Sequence, residues 1–251
     1  MIILKSKQEI EKMRVVNAMV AQVLNMLKKE IRPGITTYEL DRFAVSYSAK
    51  LNAKPAFLGY GGFPNALCVS VNEEVVHGIP SKKKILKEGD IVSLDFGLFY
   101  DGFYGDSAIT VGVGSISQAK QKLIDVTRNS LYKGIEQAKV GNYLFDISRA
   151  IQTYVESEGF SVVRDYVGHG IGRNLHEEPQ VPNYVPDRGH NVMLKVGMTI
   201  AIEPMVNAGS FEVEVKKDAW SVVTQDRMPS AHFEHTIAIL EDGPVILSKE
   251  N

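Results

Sequence analysis

One cysteine, one tryptophan and no excess of either charge sign set the first limits on this 251-residue chain. Cys68 has no partner for an internal disulfide, which excludes a disulfide-stapled scaffold and predicts a reducing, cytoplasmic setting. No apolar run approaches the roughly 18–20 residues of a membrane span, and Met1–Lys5 is too short for a signal-peptide core. The expected protein is soluble, with no membrane partner. Lys+Arg 28 against Asp+Glu 30 leaves a net charge of -2, without the basic surplus of a dedicated nucleic-acid binder. The one dense basic run, Lys82-Lys83-Lys84, reads as a solvated loop, and a transient ribosome contact is all it would offer. No linker rich in Pro, Gly or Ser interrupts the chain, so a single domain over 1–251 is expected. That length buries about 70–75 % of the unfolded surface, enough to fold without a structural staple.

What is present is a pattern written twice. Apolar residues at Ile10, Met13, Val16, Met19, Val20, Val23 and Leu27 recur in steps of three and four and predict a helix over 6–30. Pro33-Gly34 ends it, a second helix follows from Thr37, and past Ala53 short β-rich runs take over at 66–71, 91–99 and 107–113. The order then returns, with helices predicted over 117–139 and 145–156 and β-rich runs from Ser161. Gly34 maps to Gly141 at an offset of 107, and Gly89–Asp95 maps to Gly197–Glu203 at an offset of 108. Two similar ααβ halves, approximately 1–110 and 111–251, would form one pseudo-symmetric α/β body around a central sheet. A cleft at their junction would be the natural place for a ligand.

Each half ends an apolar strand with an acid, Asp95 in one and Glu203 in the other. An unpaired carboxylate inside an apolar strand is costly. Asp101-Gly102 is a strong two-residue hairpin signal that sets Tyr100 opposite Phe103 and Gly97 opposite Asp106. Asp95 then shares a face with Asp106 one diagonal step away, within about 7–8 Å. Ser230–Ile239 reads as one alternating strand with Glu234 on the face of His232 and Thr236. Four strand acids with a histidine make an oxygen-rich site suited to manganese, iron(II) or cobalt rather than to a thiolate-bound structural zinc. Four negative charges also balance two divalent cations, and such a pair can share a water and lower its pKa toward 7. The histidines are harder to place. Gly168-His169-Gly170-Ile171-Gly172 has too much glycine for a helix and reads as a tight loop leaving a strand. It lacks Rossmann spacing and a following Lys-Ser/Thr, and H-E-x-x-H is absent. By themselves His77, His169 and His176 look structural or solvated, while His190, His232 and His235 carry no assigned role.

Taken together, Tyr60-Gly-Gly-Phe-Pro64, Asn72-Glu-Glu-Val-Val-His77-Gly-Ile-Pro80, Asp95-x10-Asp106, Gly168-His-Gly-Ile-Gly-Arg173, His176-Glu-Glu-Pro179, Ile202-Glu-Pro204 and Phe233-Glu-His-Thr236 resemble the type I methionine aminopeptidases across essentially the whole chain. The resemblance implies the pita-bread fold, an α/β (α+β) body with two pseudo-symmetric halves. It implies two divalent ions (cobalt, manganese, iron(II) or zinc) held by Asp95, Asp106, His169, Glu203 and Glu234, with Asp106 and Glu234 bridging. His77 and His176 would contact substrate and stabilise the transition state, and Glu203 would handle the proton of the bridging water. Phe57, Tyr60, Phe63, Cys68, His77, Leu175, His176 and Trp220 would bind substrate around the methionine side chain, with Leu175 standing where an aromatic is frequent. The implied reaction is hydrolytic removal of an N-terminal methionine from nascent chains and peptides, favouring a small second residue, by a cytoplasmic monomer. Glu203 to Glu234 spans 31 residues, too few for the helical insertion of the type II enzymes. An X-Pro-directed aminopeptidase of the same fold would be expected to carry a further N-terminal domain. A non-catalytic binding protein of this fold would be expected to lack some of the five ligands.

Overall fold

The computed structural model describes residues 1–249. Helix α1 (Lys7–Glu30) starts at a reciprocal cap, in which the Ser6 side chain accepts from Glu9 N–H while the Glu9 side chain accepts from Ser6 N–H. Helix α2 (Thr37–Lys50) begins the same way, with Thr36 and Glu39. Strands β1 (Lys54–Pro55), β2 (Cys68–Val71), β3 (Ile91–Tyr100) and β4 (Phe103–Gly112) complete the first half. Helices α3 (Gln118–Gln137) and α4 (Leu144–Ser157) open the second. They are followed by β5 (Ser161–Val162), β6 (Gly168–Gly170), β7 (Glu177–Val181), β8 (Thr199–Ile202) and β9 (Met205–Asn207). Last come β10 (Val213–Val215), β11 (Val222–Thr224), β12 (Ser230–His232), β13 (Glu234–Leu240) and β14 (Gly243–Ile246).

A nine-stranded antiparallel sheet runs β1-β3-β4-β13-β8-β6-β7, with β2 also on β3 and β14 on β13. Its central seam, β4 on β13, joins the two halves. The pseudo-symmetry extends to backbone detail. Gly34 and Gly141 turn the chain between paired helices with φ of 92° and 89°, and Gly89 and Gly197 match at 86° and 88°. The isolated bridges Thr36–Ile85 and Tyr143–Met193 repeat at the same offsets. Each half buries its own apolar cluster. One gathers Ile10, Met13, Val16, Val20, Leu94 and Phe96. The other gathers Leu123, Leu131, Ile147, Ile151, Ile200 and Ile237.

Three sequence expectations change. The single strand expected over 230–239 breaks at Phe233, so that β12 joins β9 in a separate three-stranded sheet and β13 enters the main one. Pro204, between β8 and β9, has no N–H to continue the ladder, and its carbonyl instead accepts from Phe233 N–H at 3.3 Å. Gly168-His169-Gly170 is a strand rather than a loop. A Cβ on Gly168 would collide with Ala201 O and one on Gly170 with Glu178 O, so these glycines serve close strand approach rather than a turn. In the basic run, Lys82 and Lys83 are exposed, but Lys84 is committed to the buried Glu74 carboxylate at 2.7 Å.

Candidate metal centre and substrate cavity

Strand register places the acids. The Asp101-Gly102 turn, with φ of 46° and 82°, closes β3 on β4 so that Gly97 faces Asp106 and Asp95 faces Ala108. Ala108 in turn pairs with Glu234, which aligns Asp95, Ala108 and Glu234 in one row across three strands. Ala201 pairs with both Thr236 and His169, two residues further along the strands and so on the same face. Because side chains alternate along a strand, Asp95, Asp106, Glu234, His169 and Glu203, the residue just past β8, all project from one face. Ligand atoms of Asp106, His169 and Glu234 lie within 4.8 Å of one another. His169 Nε2 is 3.7 Å from Glu203 Oε1 and 4.0 Å from Asp106 Oδ2.

The His169 ring is oriented from behind. Its Nδ1–H donates to Gly170 O at 2.9 Å, which leaves Nε2 as the lone-pair nitrogen turned toward the carboxylates. A backbone carbonyl in that position is the usual outer support of a metal-binding imidazole. Burial holds the His169 pKa down at about 3, with His176 contributing, so the ring is neutral at physiological pH.

The carboxylates show the opposite shift. Asp95 is pushed up to about 7, mainly by burial, with the Glu203 charge adding to it and His232 opposing it. Burial raises Glu203 to about 8. Asp106 and Glu234 are raised well above the ordinary range, first by burial and then by neighbouring acids. Asp95 Oδ1, Asp106 Oδ1 and Glu234 Oε1 are buried with no hydrogen-bond partner. Orphaned carboxylate oxygens facing a lone-pair imidazole nitrogen are a donor set that fits divalent cations. Cations would satisfy those oxygens and offset the mutual repulsion.

These groups floor a cavity of about 620 Å³. Phe57, Phe63, Cys68 and Leu175 contribute buried walls. Trp220, carried by the β10–β11 hairpin, closes edge-on against Phe63 at a ring separation of 5.2 Å. His77 also lines the cavity, held at φ 56°, a left-handed backbone angle uncommon outside glycine. Burial first, then His232 and His176, lowers its pKa to about 4. His176 stands on the rim, with Nδ1 hydrogen-bonded to the Tyr60 hydroxyl at 2.8 Å and its ring edge-on to His169 at 4.4 Å. All thirteen residues singled out in the sequence therefore border one cavity.

His232 had no role in the sequence reading, yet its Nε2 lies 3.5 Å from Glu203 Oε2, and both ring nitrogens are buried without a hydrogen-bond partner. Its position two residues before Glu234 was the available signal. The break at Phe233, which brings β12 beside Glu203, was not visible.

Comparison with known proteins places the chain in a family. The profile of metallopeptidase family M24 matches residues 11–241. The chain belongs to that family. It is therefore a metal-dependent hydrolase with the pita-bread fold. Methionine aminopeptidase 1 of Bacillus subtilis is 54% identical over 250 residues, covering 99% of this chain and 100% of its own. The methionine aminopeptidase of Thermotoga maritima, a solved structure, superposes with a TM-score of 0.96 at 52% identity and full coverage of both chains. The prolidase of Pyrococcus furiosus shares the fold at a TM-score of 0.81, but at 22% identity and over 66% of its length.

Proposed function

We propose that this M24 hydrolase is a methionine aminopeptidase, which removes the N-terminal methionine from peptides and nascent proteins and favours a small second residue. The observation that carries the reading is the pairing of an acid–histidine floor with an apolar, aromatic wall in one cavity. Asp95, Asp106, His169, Glu203 and Glu234 would hold two divalent ions (cobalt, manganese, iron(II) or zinc). When bound, such ions lower the pKa of a shared water and polarise the scissile carbonyl.

The remaining chemistry belongs to the chain. Phe57, Tyr60, Phe63, Cys68, Leu175 and Trp220 surround the methionine side chain and exclude water from it. Glu203, ionised beside bound cations, would take the proton of the attacking water and return it to the leaving amine. His77 and His176 are both shifted toward the neutral ring. With Tyr60 donating its hydroxyl to His176 Nδ1, Nε2 carries the proton and donates to the oxygen that gains charge in the transition state.

The whole chain would act as one catalytic domain, because strands from both halves share the sheet that presents the site. Among the described residues no helix is long and apolar enough to cross a membrane, and the free Cys68 is buried. On this reading the protein is a cytoplasmic monomer that meets nascent chains, with Lys82 and Lys83 exposed for a passing ribosome contact.

The test is methionine release from Met-Ala-Ser by metal-stripped protein resupplied with manganese, cobalt or anaerobic iron(II), beside an N-acetylated copy of the peptide. Metal-dependent cleavage of the free-amine peptide alone is expected. Two bound ions with no release would favour a non-catalytic binding protein, and cleavage confined to X-Pro peptides would favour an X-Pro-directed enzyme.

A further inference from the structure

Lysine is among the residues least often fully buried, yet Lys5 is 6 % exposed. Its Nζ forms an ion pair with Glu177, and the two side chains are 3 % and 4 % exposed. It also donates to Ile3 O at 3.0 Å, while the Lys5 backbone N–H donates to Gly197 O at 2.7 Å. The lysine is thus fixed at both ends before α1 begins. Glu177 is equally committed, since its other oxygen accepts from Asn174 N–H at 3.1 Å. One carboxylate therefore closes the turn 174–177 on one side and docks it to the N-terminal segment on the other. His176 lies within that turn.

Burying such a pair adds little net stability compared with apolar side chains of similar volume, because desolvation offsets the attraction. What it supplies is direction. The opposite support of His176 is the Tyr60 hydroxyl, and Tyr60 is 42% exposed in a loop where Gly59, Gly61 and Gly62 all have positive φ. The firm anchor is on the Glu177 side. Gly172 reinforces it, since a Cβ there would lie 2.8 Å from Lys5 Nζ and 2.9 Å from Glu177 Oε1. Any side chain at this position would have to push the pair aside.

We propose that Lys5, through its buried pair with Glu177, is a positioning residue that sets the placement of His176 over the cavity. This rests on the substrate-facing role of His176 proposed above. A displacement of about 1 Å in a group that acts on the transition state costs on the order of 100-fold in rate. Lys5 makes no hydrogen bond or ion pair to Asp95, Asp106, His169, Glu203 or Glu234 and meets the cavity lining only through Glu177, so the metal centre should not register its loss.

The test compares K5M/E177M, G172A and H176A with the wild-type protein, each loaded with manganese. The double variant removes the polar lock without leaving a buried charge unpaired. G172A drives a methyl group against flexible side-chain ends and retains both partners, so it decides the question should the double variant fail to fold. Expected in both are wild-type metal stoichiometry, KM changed little and kcat lowered about 10- to 100-fold. The ring ¹⁵N signals of His176 in histidine-labelled protein should shift as well. If H176A is impaired while the other variants keep wild-type kcat and His176 ring signals, the positioning role is refuted. Loss of metal in G172A would place the effect on the ligand shell and overturn it too. Wild-type kcat in H176A would instead remove the role of His176 on which the inference rests.

Discussion

Removing the metals should invert the pH dependence of stability on the alkaline side of neutrality. The groups responsible are Asp95, raised to about 7, and Glu203, raised to about 8. In the unfolded chain both carboxylates are fully ionised by pH 6. The folded, metal-free protein therefore holds protons there that the unfolded chain has lost, and stability falls as pH rises through the folded values. At pH 7.5 these two groups together retain about one proton in the folded state. Five histidines act in the opposite sense. His77, His169, His176, His232 and His235 are lowered by burial, so the unfolded chain binds their protons first and stability rises with pH up to about 6.5–7. By pH 7.5 they contribute only about half a proton in the unfolded state. The difference gives an alkaline slope of about -0.7 kcal/mol per pH unit from Asp95 and Glu203 net of the histidines, which Asp106 and Glu234 steepen. For a chain of this size that is about 2 °C or more of melting temperature per pH unit. The assay is calorimetric melting of chelator-treated protein from pH 5 to 9, with and without saturating manganese. The metal-free protein should show a maximum near neutrality and a fall above it. Manganese should remove the fall, since bound cations favour the ionised carboxylates. A metal-free melting temperature that is flat or rising from pH 7.5 to 8.5 would refute the reasoning, as would the same fall in the loaded protein.

Three further outcomes follow from the geometry. D95N and H169A should each weaken one of two metal sites, read by metal analysis after dialysis, with affinity reduced by at least about 10-fold; unchanged stoichiometry in both would remove these residues from the ligand set. H77A and H176A should retain metal and lose about 10²–10³-fold in kcat, as removal of one transition-state hydrogen-bond donor does, and metal loss would instead move them into the ligand shell. Met-Ala peptides should be cleaved at least about 10-fold faster than Met-Lys peptides, on a size penalty of about 1–3 kcal/mol per excluded methylene, and equal rates would remove the small-second-residue rule.

Much of the fold was legible because its signals are local. The apolar periodicity of the helices and the Asp101-Gly102 turn lie within short windows of sequence, and they returned α1 to α4 and the β3–β4 register within a few residues. The Asp95–Asp106 diagonal could be counted from the turn alone. Glu203, Glu234 and His169 reach the same face through pairings of β8, β13 and β6, whose partners lie tens to more than a hundred residues apart. No window in the sequence fixes such a register. Their assignment needed the family resemblance.

The misread segments share one cause, which is that a residue's local preference can serve a distant contact. The glycines at 168 and 170 read as a turn because turns are the common use of glycine, yet here they admit the backbones of Ala201 and Glu178. The segment 230–239 reads as one alternating strand, yet Pro204, 29 residues before Phe233, offers its carbonyl to the Phe233 N–H where the strand holding His232 and Glu234 breaks. Lys5, which nothing in the local sequence marks out, is buried against Glu177 from the other half. In each case the partner lies in the second half, and the Lys5 contact reaches it from the first. A site built on strands far apart in sequence is specified by such distant contacts, so the residues that tune it are those whose local reading is most ordinary.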